Sequence, residues 1–256
     1  MSDRTWPLPA RKYSLRMNWH DLLFMHWPVE AADVQRLLPD GLSVDTRDGQ
    51  AWIGVVPFHM SDVAPRCVPA VPWVSKFPEL NVRTYVTVND KPGVWFFSLD
   101  ATNPLAVRVA RRFFHLPYTD ANISIAPNGD GFDYASERTH RGEPSAELVM
   151  TYRPTSKPFF AEAGTLEHWL TARYCLYAAD RSGNLLKGEI DHPPWPLQHA
   201  EAVTKCNTML EWLNLKPQSA EPHLLFSQLV KVQAWSNDRV AKVDRVAKAG
   251  SEIAAV

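Results

Sequence analysis

Residues 77–86, FPELNVRTYV, decide how the rest of the chain is read. In an extended strand successive side chains point to opposite faces, so Leu80, Val82, Thr84 and Val86 share one face and Glu79, Asn81, Arg83 and Tyr85 the other. The first face is ordinary core. The second carries a carboxylate, an amide, a guanidinium and a phenol in strict succession. Two readings are open. If this face points inward it is a site; if it points outward, Glu79 and Arg83 form a surface ion pair worth at most about 1 kcal/mol.

Composition narrows the partners. The chain has 256 residues, 45% hydrophobic and 21% charged, with 10 Trp, enough to bury an aromatic-rich core within one β-rich domain. Lys and Arg number 27 against 28 Asp and Glu, so the formal net charge of -1 gives no overall footprint for nucleic acid or a membrane. A small molecule is the expected partner, and a homo-oligomer is allowed. Cys67, Cys175 and Cys206 are odd in number with no CxxC spacing, which argues against a disulfide framework or structural zinc and fits a reducing, cytoplasmic location. The opening MSDRTWPLPARKYSL has no apolar signal region, and the longest apolar runs, such as LLFM, fall far below the roughly 20 residues needed to span a bilayer.

Along the chain, residues 1–15 hold Pro7, Pro9 and several basic side chains and read as an arm over the surface. Residues 16–235 read as a single domain. MNWHDLLFMHWPV, DGQAWIGVVPFHM, ELNVRTYVTV and GVWFFSLDA are strands, with VNDKPGV a hairpin turn that makes the last two antiparallel neighbours. EAADVQRLLPDG is a short helix, and in NPLAVRVARRFF Pro104 starts a second, with Leu105, Val109 and Phe113 on one face. LPYTDANISIA, GFDYASERT, AELVMTYRP, the end of GTLEHWLTARYCLYAAD, LLKGEIDHPPW and HLLFSQLVKVQAW complete the sheet. Residues 236–256 read as a marginal helix or disordered tail. About ten short strands with a few short helices predict an α+β, β-rich fold whose antiparallel sheet closes or nearly closes into a barrel or cone, with an interior for the polar face of residues 79–85.

Taken in order, NWHDLLFMHWPV, AWIGVVPFHM, FPELNVRTYV, GVWFFSLDA and ARRFFHLPYTDA resemble the bacterial family known as domain of unknown function 2071, from about Met17 to Trp235. That family is similar in turn to the acetoacetate decarboxylase superfamily, whose fold is a β-rich barrel or cone around a cavity. Its named enzyme forms a Schiff base on a lysine made nucleophilic by an apolar setting and a second lysine; that enzyme is a standard example of such activation. The resemblance places those lysines at FFHLPYTDA, where this chain has Tyr118 and Thr119 after Pro117. It therefore implies a shared pocket without shared chemistry. It also implies that Glu79 matches the superfamily's strand glutamate, on an alignment that can slip by two residues and keep the same face.

The expected site is thus Glu79 and Tyr118 as acid–base candidates, with Asn81, Arg83 and Tyr85 binding ligand. Tyr118 reads equally well as a barrel-wall aromatic with a satisfied hydroxyl. Lys76 is the best-placed substitute amine, although a loop lysine before a strand is ordinarily solvated. His20 and His26 share strand parity, but without HxH, HExxH or a nearby carboxylate motif they, His59 and His115 read as hydrogen-bonded structural residues, and no metal is expected. Asp100 reads as a helix cap or turn residue, and Arg111 and Arg112 as ligand contacts or, more simply, as favourable charges at a helix C-terminus. No GxSxG, P-loop or dinucleotide fingerprint is present, so no cofactor is expected. The leading expectation is a decarboxylase-like barrel that binds a small, partly apolar organic acid. The alternatives are a structural protein with a filled barrel, or a lysine-independent lyase or hydrolase that uses Glu79 as acid or base.

Overall fold

A computed structural model of the chain describes residues 2–240. In order, the elements are β1 (Leu15–Val29), α1 (Ala31–Leu37), β2 (Ser43–Val44), β3 (Ala51–Pro65), α2 (Pro72–Ser75), β4 (Phe77–Val88), β5 (Lys91–Ala101), α3 (Pro104–Phe113), β6 (Tyr118–Asn128), β7 (Gly131–Arg138), β8 (Glu147–Pro154), α4 (Leu166–Thr171), β9 (Cys175–Ala179), β10 (Leu185–Asp191), β11 (Leu197–Asn207), β12 (His223–Ala234) and β13 (Asp238–Arg239). One 3-10 turn, Glu211–Leu213, precedes β12. The fold is β-rich α+β, as the sequence predicts.

The pairing closes on itself twice. One circuit runs β1–β3–β4–β5–β6–β7–β8–β11–β12 and back to β1; another leaves β5 for β9 and returns through β10 to β12. The expected antiparallel pattern fails at the branch, where β5 pairs in parallel with both β6 and β9. A wall shared by two circuits has no solvent face, which explains β4. Leu80 and Val82 enter the filled interior of the first circuit with Tyr134, Leu148, Met150 and Tyr152. Alternate residues of the same strand face the interior of the second circuit, which holds a cavity.

Local chemistry fixes this frame. Asn89 and Asp90 both adopt positive φ, 49° and 59°, giving the two-residue turn between β4 and β5. Gly93, read in the sequence as part of that turn, lies within β5, and an added Cβ would come within 2.7 Å of the Cys175 carbonyl; glycine here lets β9 approach. At α3, Asn103 rather than Asp100 is the N-cap, its side chain accepting from the amides of Leu105 and Ala106 at 3.1 Å. Arg111 and Arg112 occupy the last turn of that helix, as expected.

Before β1, the described residues 2–14 run over the surface. Trp6 donates to Glu189 at 3.0 Å, Arg4 forms an ion pair with the same carboxylate, and Arg11 clasps Asp238. The chain beyond Trp235, expected to be a marginal helix or disordered, instead begins with β13 on the edge of β10. Residues 241–256 of that expectation lie outside the described residues. Among the described residues no helix is long and apolar enough to cross a membrane.

Candidate functional site

The second circuit encloses about 360 Å³, walled by aliphatic and aromatic side chains such as Met17, Trp19, Phe77, Leu99, Ile190 and Trp195. Into this apolar volume β4 delivers Glu79, Asn81 and Arg83, and β6 delivers Tyr118. Tyr118 is reachable because the start of β6 lies beside Leu99 of β5, one strand away from Glu79.

Glu79 is almost fully buried, and the Tyr118 hydroxyl donates to its Oε2 at 2.9 Å. Burial pushes its carboxyl up to about 8, partly opposed by the Tyr118 hydrogen bond and reinforced by the charge of Asp100. Burial likewise holds the Tyr118 phenol well above its ordinary value, with the neighbouring Glu79 adding to it. At neutral pH the pair is therefore a carboxylic acid and a phenol, both neutral. Tyr134 fixes the strand beneath by donating to the Glu79 carbonyl at 3.0 Å.

Thr119, the next residue of β6, is not part of the cavity lining and hydrogen-bonds Asp100 at 2.5 Å. Asp100 is fully buried. Arg138 grips both of its oxygens at 3.0–3.2 Å and also donates to Ser98 at 2.8 Å. Its sequence reading as a cap is thus corrected to a buried ion pair, which fixes the first residues of β6.

At another part of the lining stand two guanidiniums. Arg83 lies 5.3 Å over the Phe24 ring and has no carboxylate within salt-bridge distance among the described residues; its buried Nε has no hydrogen-bond partner. Arg173, which the sequence reading missed, follows α4. Its Nη1 meets Asp45 at 2.6 Å, its Nε donates to the Trp169 carbonyl at 2.7 Å, and it stacks on Trp169 and Tyr85. Its buried Nη2 is also unpartnered. Burial lowers the Arg173 pKa; Asp45 opposes this and the charge of Arg83 adds to it. An arginine inside the aromatic run WLTARYCLY was the sequence signal for it. Asn81 Oδ1, buried and without a partner, belongs to the same lining.

Tyr85 does not line the cavity. It keeps the face of Arg83 but lies beyond the end of the cavity, whose lining residues Val94, Phe96 and Leu176 it packs against. Tyr85 is wholly buried against Trp52, Val94 and Leu170. Its hydroxyl meets His26 Nε2 at 2.6 Å and Arg83 Nη2 at 3.4 Å, so it stands behind Arg83 as a support. Lys76 is exposed outside the lining, and none of the lining residues is a lysine. His26 is a buried structural histidine, while His20 and His59 stack face to face at 4.7 Å on neighbouring strands. No group of three or more His, Cys, Asp or Glu side chains suited to a metal occurs among the described residues.

With this geometry in view, comparison with known proteins is informative. The model of domain of unknown function 2071, described as an uncharacterized conserved protein, matches residues 16–231. The chain belongs to this family. A relative in the family, the uncharacterized protein YqjF of Bacillus subtilis, is 42% identical over 228 residues, covering 89% of this chain and 93% of its own. Among solved structures, acetoacetate decarboxylase from Legionella pneumophila superposes with a TM-score of 0.64 at 12% identity, covering 93% of each chain. The enduracididine biosynthesis enzyme MppR, complexed with pyruvate, gives 0.61 at 9%, also covering 93% of each. At such identity the likeness shows the fold: this member of the family has the acetoacetate decarboxylase-like architecture.

Proposed function

We propose that the cavity binds a small, partly apolar organic acid, with its carboxylate toward Arg83 and Arg173 and its apolar part along the aliphatic wall. The observation that carries this reading is that two arginines, Arg83 and Arg173, stand together in the lining of a largely apolar enclosure, Arg83 without a carboxylate within salt-bridge distance among the described residues. Arg173 already has Asp45 as a counter-charge, but Arg83 has none, and a cation enclosed by apolar walls without one is costly. A carboxylate accepting from both arginines would offset that cost. The enclosed volume lies within the range of ligand sites and opposes the filled-barrel alternative. Binding of pyruvate by a structural neighbour is consistent with this choice of ligand class.

Glu79 and Tyr118 then stand as the acid–base pair. With Tyr118 donating to Oε2, Oε1 is left to carry the acid proton and to donate it to an oxygen of the ligand. This supports the lysine-independent reading over Schiff-base chemistry, since neither Tyr118 nor Thr119 can form an iminium. Borohydride reduction in the presence of acetoacetate is expected to leave the intact mass unchanged. A reduced adduct on Lys76 would return the protein to the Schiff-base enzymes.

Binding is tested by calorimetric titration with acetoacetate, 2-oxooctanoate, octanoate and 1-octanol. Arg83→Gln is expected to weaken the acid that binds best by roughly 10- to 100-fold, as for loss of a charged hydrogen bond, and to leave 1-octanol unaffected. Because Arg83 has no carboxylate partner among the described residues, the variant is expected to keep its fold, which its circular dichroism checks. Equal affinity of wild type and variant for every acid would remove the anion site.

A further inference from the structure

The rim of the cavity has a surface that the ligand reading does not use. α2 and α3 are joined where Asn103 Nδ2 reaches the Trp73 and Val74 carbonyls at 3.4 and 3.3 Å. Their apolar side chains are left outward. Trp73 is 89% exposed and Phe113 65%, with Val71, Leu105 and Val109 beside them. Leu105, Val109 and Phe113 lie four apart on one face of α3, and Leu105, Val109 and Val74 also line the cavity. An apolar lip thus continues into an apolar interior.

Charge on this lip has one sign. Residues 63–78 and 101–119 contain Arg66, Lys76, Arg108, Arg111 and Arg112 and no Asp or Glu, in a chain whose net charge is -1. Acids reach it only from neighbouring elements. Asp120 holds Arg108 at 2.8 Å, and Glu143 stands 3.9 Å from Arg111. Arg112 lies over the Phe113 ring, and neither it nor the exposed Lys76 has a carboxylate within 4.0 Å among the described residues. On α3, Arg108 and Arg112 lie three and seven residues after Leu105 and so flank its apolar residues, a placement suited to a bilayer interface, where long basic side chains reach out to the headgroups.

We infer that the α2–α3 lip docks onto an anionic lipid surface, with Trp73 and Phe113 entering the headgroup region and Lys76 and Arg112 meeting lipid phosphates. A second copy docked two-fold on the same patch would bring Lys76 and Arg112 of both copies together, while the acids at the lip, Asp120 and Glu143, already face Arg108 and Arg111, which disfavours it. Overall neutrality, read from the sequence as no membrane footprint, conceals this local asymmetry. The further consequence that an amphiphilic acid passes from the bilayer into the cavity rests on the function proposed above; docking itself does not.

Co-sedimentation of the full chain with phosphatidylcholine vesicles, and with vesicles containing 30% phosphatidylglycerol, tests this. Partition is expected onto the anionic vesicles and is expected to weaken with salt. It should fall roughly fivefold for each of Lys76→Gln and Arg112→Gln, and be lost in Trp73→Ser/Phe113→Ser. None of these four residues lines the cavity, so acid binding by calorimetry should persist in all of them. Absence of partition, equal partition onto both vesicles, or indifference to these variants would overturn the inference. So would a dimer in analytical ultracentrifugation that Trp73→Ser/Phe113→Ser dissolves while vesicles bind nothing.

Discussion

Arg138→Met is expected to lower the unfolding free energy by about 3–5 kcal/mol, because it strands a fully buried carboxylate. Asp100 is enclosed at the branch of the sheet, and its partners Arg138, Ser98 and Thr119 come from β7, β5 and β6. Arg138 itself packs 5.2 Å from the Trp212 ring and donates to the Pro144 carbonyl at 3.2 Å, so no water replaces it easily. Burial already raises the Asp100 pKa while Arg138 and the hydroxyl of Thr119 lower it. Removing Arg138 leaves the upward push opposed only by the hydroxyls of Thr119 and Ser98. Urea unfolding at neutral pH measures the effect, and Asp100→Asn combined with Arg138→Met should recover much of it, since the stranded charge is then gone. A loss below about 1 kcal/mol in the single variant would show that the pair contributes little. The consequence for the site is positional: Asp100 holds Thr119, and Thr119 is the neighbour that sets where Tyr118 begins β6.

What could be read in advance depended on whether a signal was local. The alternation of residues 79–86 is local, and it correctly separates Leu80 and Val82 from Glu79, Asn81 and Arg83. That both sets are buried is not local; it follows from β4 standing between two circuits of strands. Tyr85 keeps the alternation but is covered by Leu170 and Trp169 of α4, contacts that the sequence of β4 does not show. β11, residues LQHAEAVTKCN, escaped notice because small and polar residues alternate there and Val203 is outward, leaving little of the β-branched, aromatic signature of a strand. Asp100 sits four residues before Pro104, where a cap is plausible by spacing; its real partner is 38 residues away. Arg173 was missed for the same reason. Its meaning lies in Asp45, Trp169 and Tyr85, which no periodicity connects to it.

The pH dependence of stability should identify Glu79 as a neutral acid in the folded protein. Its carboxyl has an ordinary value of 4.5 and is pushed up to about 8 by burial. Below pH 4.5 both folded and unfolded chains hold the proton, and the group contributes no slope. Between 4.5 and 8 the unfolded chain releases it and the folded chain does not, so the folded state binds more protons and stability falls as pH rises. Above 8 both are ionised and the loss is complete, on the order of 4–5 kcal/mol at about 1.4 kcal/mol per unit. Asp21, pushed up to about 6 by its own burial, slopes in the same direction over a narrower window, so wild type alone would not isolate Glu79. Glu79→Gln does, because the amide preserves the shape and an acceptor for the Tyr118 hydroxyl while removing the titration. Urea unfolding at pH 5 and pH 9 should find the two proteins similar at the lower pH and the variant more stable by several kcal/mol at the higher. Parallel profiles would mean that Glu79 ionises near its ordinary value, and the proton assigned to Oε1 would not be there. If the divergence is seen, the same proton explains why a largely apolar cavity tolerates a glutamate in the lining it shares with two arginines: the carboxyl is uncharged, leaving Arg83, which has no carboxylate partner among the described residues, for the carboxylate of a ligand.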